Sequence, residues 1–267
     1  MIHGMWSRPS TFSVLRAELE AAGIRSFAPT LLHHGVPPGS PAPTALASLQ
    51  LADYVDALER EVAELGEPPV ILGHSMGGLL AQLLAMRVRH RGLILLSTAP
   101  SSAAQKVSLA QLRTLKGVTT TWGWWREATL LDEKGARWGV FNGVPEAEMR
   151  AGLAELTWDS GPVMAQIAAP WLDSRKGSQV DYGRLTMPAL VIAGREDRTI
   201  SPATSRKTAR LLAASGARVD YEEWPGAGHW LFHDAVRPRL AQAVARFVGS
   251  LGSPGSLGSP GSPGRIG

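Results

Sequence analysis

The 267-residue chain contains no cysteine. That excludes disulfides, a thiol nucleophile and cysteine-ligated metals, and leaves the compartment open. Long apolar runs are missing too: no stretch approaches the roughly 20 residues that cross a bilayer. The first residues lack the basic start and apolar core of a secretory signal, so a cytoplasmic location is expected. Runs of like charge are absent: 27 Lys and Arg stand against 23 Asp and Glu, for a formal net charge of +4. Arg206, Lys207, Arg210, Arg237 and Arg239 are scattered over separate helical stretches, which reads as a solvated surface and argues against nucleic acid as a partner. Neither a phosphate-loop nor a dinucleotide-type glycine pattern occurs, so no nucleotide cofactor is expected. His33 and His34 are neighbours in a Pro-rich loop without the i, i+4 spacing that sets two ligands on one helix face, so no metal is expected. Aromatics make up only 6% of the chain, yet nine of them are tryptophan.

What is present begins with apolar patterning. At 44% apolar content the chain can bury the core of one large domain, with or without an insertion. Phe12, Leu15, Leu19 and Ala22 mark a helix that Gly23 closes, and Ile24 to Ala28 reads as a strand. Val55, Leu58, Val62 and Leu65 give an amphipathic helix, followed by the buried-strand pattern Val70-Ile71-Leu72. A helix over about Gly77 to His90 leads to the strand Leu93–Leu96. Pro188 to Gly194 is a further strand, and Ser201-Pro202 starts a helix that Gly216 stops. Ala217 to Tyr221 reads as a short strand, and Leu240, Val244, Phe247 and Leu251 as a final helix. Such alternation predicts an α/β fold with a mainly parallel sheet and helices on both faces.

The chemistry sits at the ends of these strands. Gly73-His74-Ser75-Met76-Gly77 directly follows Val70-Ile71-Leu72. A strand ending in G-x-S-x-G before a helix holds the serine in strained backbone geometry above the sheet, with the helix N-terminus behind it. A serine hydroxyl is a weak nucleophile and needs a base that is itself oriented by an acid. Arg195-Glu196-Asp197 follows the strand at Pro188–Gly194, and Gly228-His229-Trp230 lies in the loop after Ala217–Tyr221. Asp197 is the expected acid, with Glu196 as competitor, and His229 the expected base, with His233 as fallback. A developing oxyanion needs two preorganised N–H donors. Met76, after the serine, supplies one; the loop His3-Gly4-Met5-Trp6 is placed to supply the other, from Met5 or else Trp6.

With these residues in order, the chain resembles the serine hydrolases of the α/β-hydrolase superfamily, of the esterase and lipase kind, over nearly its whole length to about Leu251. The resemblance implies a catalytic set of Ser75, Asp197 and His229, an oxyanion hole from the Met5 and Met76 amides, and no cofactor. It implies hydrolysis of a carboxylic ester through an acyl-enzyme, with a small molecule as substrate. The same triad serves carbon–carbon bond hydrolases, lactonases, thioesterases and acyltransferases, and a non-catalytic binding protein on this fold is a further alternative. Serine at the nucleophile position speaks against the epoxide-hydrolase and haloalkane-dehalogenase branches, which use aspartate.

Residues 100–186 break the alternation and fit a helical cap inserted between core segments 1–99 and 187–250. Six of the nine tryptophans fall there, forming the cap's own small core or, for two or three of them, lining a tunnel for an apolar acyl or alkyl group. An ester with an apolar part is therefore expected. Trp6 and Trp230 flank the oxyanion loop and the base, and either wall the pocket or fill the core. Residues 251–267, a Gly/Ser/Pro repeat, are expected to be disordered. In the family the His-Gly loop follows a complete strand and two edge strands, whereas only Met1 and Ile2 precede His3. The sequence as given is therefore expected to start inside a longer natural chain, its N-terminal strands truncated.

Overall fold

A computed structural model describes residues 1–252; the 253–267 part of the expected Gly/Ser/Pro tail lies outside the described residues. Four strands, β1 (Val70–His74), β2 (Gly92–Leu96), β5 (Ala189–Gly194) and β6 (Val219–Trp224), form a parallel sheet in the order β1-β2-β5-β6. Val70 lies opposite Gly92, Leu93 opposite Ala189, and Ala189 opposite Val219. All four strands run the same way, so the loops leaving β1, β5 and β6 gather beyond their carboxyl ends, where ligands bind in open α/β sheets.

Successive side chains in a strand face opposite sides, and each side here has its own helices. Ile71, Leu93, Leu95, Ala189 and Val191 pack under α2 (Leu51–Ala63), α3 (Met76–Ala85) and α9 (Pro202–Ala214). Leu72, Ile94, Leu96, Leu190 and Ile192 pack on the other side under α1 (Ser13–Ala21) and α10 (Arg237–Ser250). Helix α3 is buried along its whole length. Ser201 caps α9 by accepting from the Ala203 amide at 3.3 Å, with Pro202 in the first turn, as the sequence predicts.

The segment expected as a strand at Ile24–Ala28 forms none. A strand exists only through a ladder, and the chain beside β1 offers a single bridge residue. Ile2 donates to the Leu72 carbonyl at 2.7 Å and accepts from the His74 amide at 3.1 Å. The strand expected at Ala217–Tyr221 runs later, over Val219–Trp224, and the helix expected to reach His90 ends at Ala85.

Between β2 and β5 the chain leaves the sheet. It forms the short helices α4 (Leu109–Thr114), α5 (Lys116–Thr119) and α6 (Glu133–Gly135), then α7 (Glu146–Ala154) and α8 (Gly161–Ala168). It also holds an antiparallel pair that helical patterning does not foretell, β3 (Ala128–Thr129) with β4 (Asp159–Ser160). Its inner side contributes Val118, Leu131, Phe141, Met149 and Met164 to an apolar cluster closed by Trp6, Met5 and Trp230 from the core. The six tryptophans of this segment do not share one tunnel. Trp124 and Trp158 are partly buried in different clusters, and Trp138 lies against the guanidinium groups of Arg113 and Arg198, 3.5 and 4.0 Å from its ring. Trp122 and Trp171 are exposed.

Candidate active site

Ser75 joins β1 to α3 at φ +54° and ψ −122°, a conformation that glycine tolerates and a side chain resists by about 1–3 kcal/mol. Close approach of backbone holds it there. A Cβ on Gly73 would stand 2.0 Å from the Gly77 carbonyl oxygen, and one on Gly77 would stand 2.1 Å from that of Ile2. The two glycines are thus required by packing, and Gly77 specifically by the N-terminal segment. Ser75 is partly exposed while Gly73, His74, Met76 and Gly77 are all buried. Its side chain alone therefore projects from the turn. Among the described residues, no hydrogen bond reaches the Ser75 hydroxyl, which is common before substrate tightens such a site.

Beyond β5, Asp197 is buried and both oxygens of its carboxylate are engaged. Oδ1 accepts from the amides of Thr199 and Ile200, both at 2.8 Å, and Oδ2 accepts from His229 Nδ1 at 2.8 Å. An Nδ1–H held this way leaves Nε2 of His229 with its lone pair free to take a proton. Glu196 points its side chain to solvent, and its carbonyl accepts from Asn142 Nδ2 at 2.8 Å. His233 is buried without a partner on Nδ1, and burial lowers its pKa. His74 sits beneath His229, ring centroids 4.8 Å apart, and donates Nε2–H to the His229 carbonyl at 3.0 Å.

The loop His3-Gly4-Met5-Trp6 reaches the same spot: a Cβ on Gly4 would stand 3.0 Å from that of Ser75. The Trp6 amide is taken, donating to Asp159 Oδ2 at 3.1 Å. Among the described residues, the Met5 and Met76 amides meet no acceptor. Trp6 itself is buried, its indole N–H donating to Thr129 Oγ1 at 3.2 Å. Trp230 is half-buried against Phe141, at 5.0 Å between centroids.

A sequence model of the alpha/beta hydrolase family matches residues 1–243. The chain belongs to that family. It is an enzyme of the α/β-hydrolase type, and solved structures share its fold. A monoacylglycerol lipase of Paleococcus ferrophilus is 19% identical with a TM-score of 0.65, over 94% of this chain and 93% of that one. An extracellular alpha/beta-hydrolase of a Paenibacillus species is 16% identical with a TM-score of 0.67, over 92% and 96%. A pyrethroid hydrolase of Sphingobium faniae is 20% identical with a TM-score of 0.64, over 93% and 96%. No curated protein sequence matches. No helix among the described residues of the hydrolase is long and apolar enough to cross a membrane.

One feature of the hydrolase's site has no pattern in the sequence. Asp159, on β4 and wholly buried, gathers four donors. Oδ1 accepts from Tyr54 Oη at 2.9 Å and the Ser160 amide at 2.7 Å; Oδ2 accepts from the Trp6 amide and from His34 Nε2 at 3.0 Å. His34 Nδ1 faces the Leu32 carbonyl at 2.9 Å, so both ring nitrogens meet acceptors and the ring is an imidazolium. Burial opposes that charge, but the Asp159 carboxylate holds the His34 pKa above its ordinary value. Burial likewise opposes the Asp159 charge, and His34 with the N–H donors keeps its pKa below the usual range. Through the Trp6 amide, Asp159 ties the inserted segment to the loop that carries the Met5 amide, and through His34 to the loop after residue 30. In the sequence His34 stands out only beside His33, and residues 34, 54 and 159 share no spacing.

Two other histidines are buried neutral. Burial first, then the charge of His34, lowers His3 to about 3, and burial with His229 nearby lowers His74 well below 6.5. Below pH 6.5 the unfolded chain protonates both while the folded one does not, so the unfolded state binds more protons and acid destabilises the fold. Each contributes a loss of about 1.4 kcal/mol per pH unit. His34, raised, keeps its contribution below 6.5 and loses it as pH rises through its folded value; Asp159, depressed, loses its own only as pH falls toward that folded value. Urea unfolding is expected to show lower stability at pH 5 than at pH 7, the His3 and His74 contributions together outweighing the opposite one of His34. Equal stability at the two pH values would mean that His3 and His74 are not held neutral.

Proposed function

We propose that this hydrolase cleaves carboxylic esters by two-step acyl transfer through Ser75. The observation that carries this reading is the buried Asp197–His229 pair, 2.8 Å apart, at the strand ends beside a strained and partly exposed serine. Ser75 Oγ attacks the ester carbonyl while His229 Nε2 takes its proton, and Asp197 stabilises the imidazolium that forms. The carbonyl oxygen becomes an oxyanion held by the Met5 and Met76 amides and by the positive end of α3. His229 then gives its proton to the departing alcohol. Water, deprotonated by His229, attacks the acyl-enzyme, and the acid leaves as Ser75 recovers its proton.

The Trp6 amide, engaged by Asp159, is unavailable for the oxyanion, which favours Met5 as the second donor. Trp230 and Phe141 offer an apolar wall beside His229, whereas the buried Trp6 supports that wall from behind. The segment between β2 and β5 acts as a cap, and an apolar acyl or alcohol part fits the side chains that it lends to this cluster. The matched monoacylglycerol lipase and a matched thermophilic esterase fit ester chemistry.

Hydrolysis of p-nitrophenyl esters from acetate to palmitate is expected to peak at one acyl length, and a fluorophosphonate is expected to label Ser75 alone. Folded protein that neither turns over any of these esters nor takes the label would overturn the proposal. Labelling without ester turnover would keep the nucleophile and move the substrate to a lactone, thioester or carbon–carbon bond.

A further inference from the structure

The outer side of the inserted segment is the least covered apolar surface of the hydrolase. Trp122, Leu109, Leu172 and Trp171 are 89%, 86%, 79% and 70% exposed, and Val107 and Leu112 follow. These are the six most exposed large apolar side chains among the described residues, and all lie on this one segment. Most of them gather at the two ends of α8. Gln105 Nε2 donates to the carbonyls of Ile167 and Ala168 at 3.2 and 3.1 Å, which brings Val107 and Leu109 to the end of α8 that leads into Trp171 and Leu172. The other end of α8 meets the Trp122–Trp125 loop, where the Trp124 carbonyl lies against Gly161. The band therefore runs about the length of α8, on the order of 12 Å.

Its charge leans positive, with the carboxylates of Glu127 and Asp173 at its margins. Residues 101–126 carry Lys106, Arg113, Lys116 and Arg126, all exposed, and no Asp or Glu. Lys106 also opens onto a cleft shared with Lys207 and Arg210 of α9. Indole and leucine side chains ringed by cations match the headgroup region of a bilayer, where aromatic rings sit at the apolar boundary and Lys or Arg meets anionic lipid. A second copy of the chain fits poorly. A twofold contact would set Lys106, Lys116 and Arg126 of one protomer near those of its partner, with only Glu127 and Asp173 at the margins to pair them.

We propose that this face docks on a lipid surface bearing anionic headgroups. The inner side of the same segment packs on the loop of Met5 and Trp6, so docking sets the candidate active site beside the membrane from which an apolar ester would come. Docking itself needs no catalysis, and Ser75→Ala protein should dock as well as the unchanged enzyme.

The test is co-sedimentation with phosphatidylcholine vesicles, with and without about 30 mol % phosphatidylglycerol. Binding is expected to need the anionic lipid and to weaken at least about tenfold between low salt and roughly 0.5 M salt. The pair Leu109→Ser with Trp122→Ser, and separately the pair Lys106→Gln with Lys116→Gln, are expected to weaken it by about tenfold or more. Circular dichroism and turnover of a short soluble ester should be unchanged in both pairs, since these side chains touch neither core nor site. Failure of the unchanged protein to bind anionic vesicles at low salt would overturn the proposal, as would binding that survives the Leu109→Ser/Trp122→Ser pair. A dimer in size exclusion that the same pair dissolves would assign the face to a second copy instead.

Discussion

Ser75→Ala protein is expected to fold normally and to lose about four to six orders of magnitude of ester turnover. The loss is large because the serine, its base and its acid act as a unit, and what survives is binding and the oxyanion donors. Asp197→Asn should approach it, at about ten-thousand-fold, because an amide nitrogen facing His229 Nδ1 favours the wrong tautomer. Glu196→Gln should leave kcat within a few-fold, since Glu196 is exposed and only its backbone is engaged. Ser75→Gly separates lost chemistry from lost structure. Glycine takes φ +54° and ψ −122° without strain, so this variant should be as inactive as Ser75→Ala and more stable by about 1 kcal/mol. Residual turnover above about one per cent in Ser75→Ala would assign the nucleophile elsewhere.

Asp159→Asn is expected to destabilise the fold by about 3–5 kcal/mol, a large share of the 5–15 kcal/mol that holds a typical domain. The carboxylate accepts from four donors, two at each oxygen, and an amide nitrogen turns one acceptor into a donor that faces two others. It also strands the His34 imidazolium without its counter-charge. Where the variant still folds, kcat should fall more than KM changes, because the freed Trp6 amide loosens the neighbouring Met5 amide. Urea midpoints and a kcat/KM comparison at low temperature measure both effects. An Asp159→Asn midpoint equal to that of the unchanged protein would show that the pair contributes nothing.

The parts of the site that sequence reading reached are those where a local pattern forces a local geometry. G-x-S-x-G can be read because Gly73 and Gly77 leave no room for side chains, and Asp197 and His229 because each follows a strand in chain order. The strand expected at Ile24–Ala28 fails for a nonlocal reason: its composition suits a strand, but pairing depends on what lies alongside, and there the Met1 amino group meets the Phe27 carbonyl without starting a ladder. Val219–Trp224 was placed too early because an edge strand that is mostly half-buried has a weak apolar period. Asp159, His34 and Tyr54 were invisible as a group. They come from three distant stretches, and burying a charge leaves no periodic trace. His34 is noticeable only as half of an adjacent pair that could not share a helix face, and its partner turned out to be a carboxylate across the inserted segment.

The anchoring of that segment restricts how the enzyme can admit substrate. Asp159 fastens one part of it to the Trp6 loop, and Asn142 fastens another to the acid loop, its Nδ2 donating to the Glu196 carbonyl, while it also crowds Gly228 beside the base. A swing of the whole segment as one hinged body would break the contacts of a buried ion pair, at a cost of about 3–5 kcal/mol, so an open form of that kind would hold roughly one molecule in a hundred to one in several thousand. The stretch from Gln105 to Trp125 carries no such ion pair, but Val118 in the inner cluster and Thr114 Oγ1, which donates to the Arg198 carbonyl at 3.1 Å, hold it to the core as well. On the proposed reading, substrate would therefore enter without a swing of the whole segment, and the amides of Met5 and Met76 would keep their places.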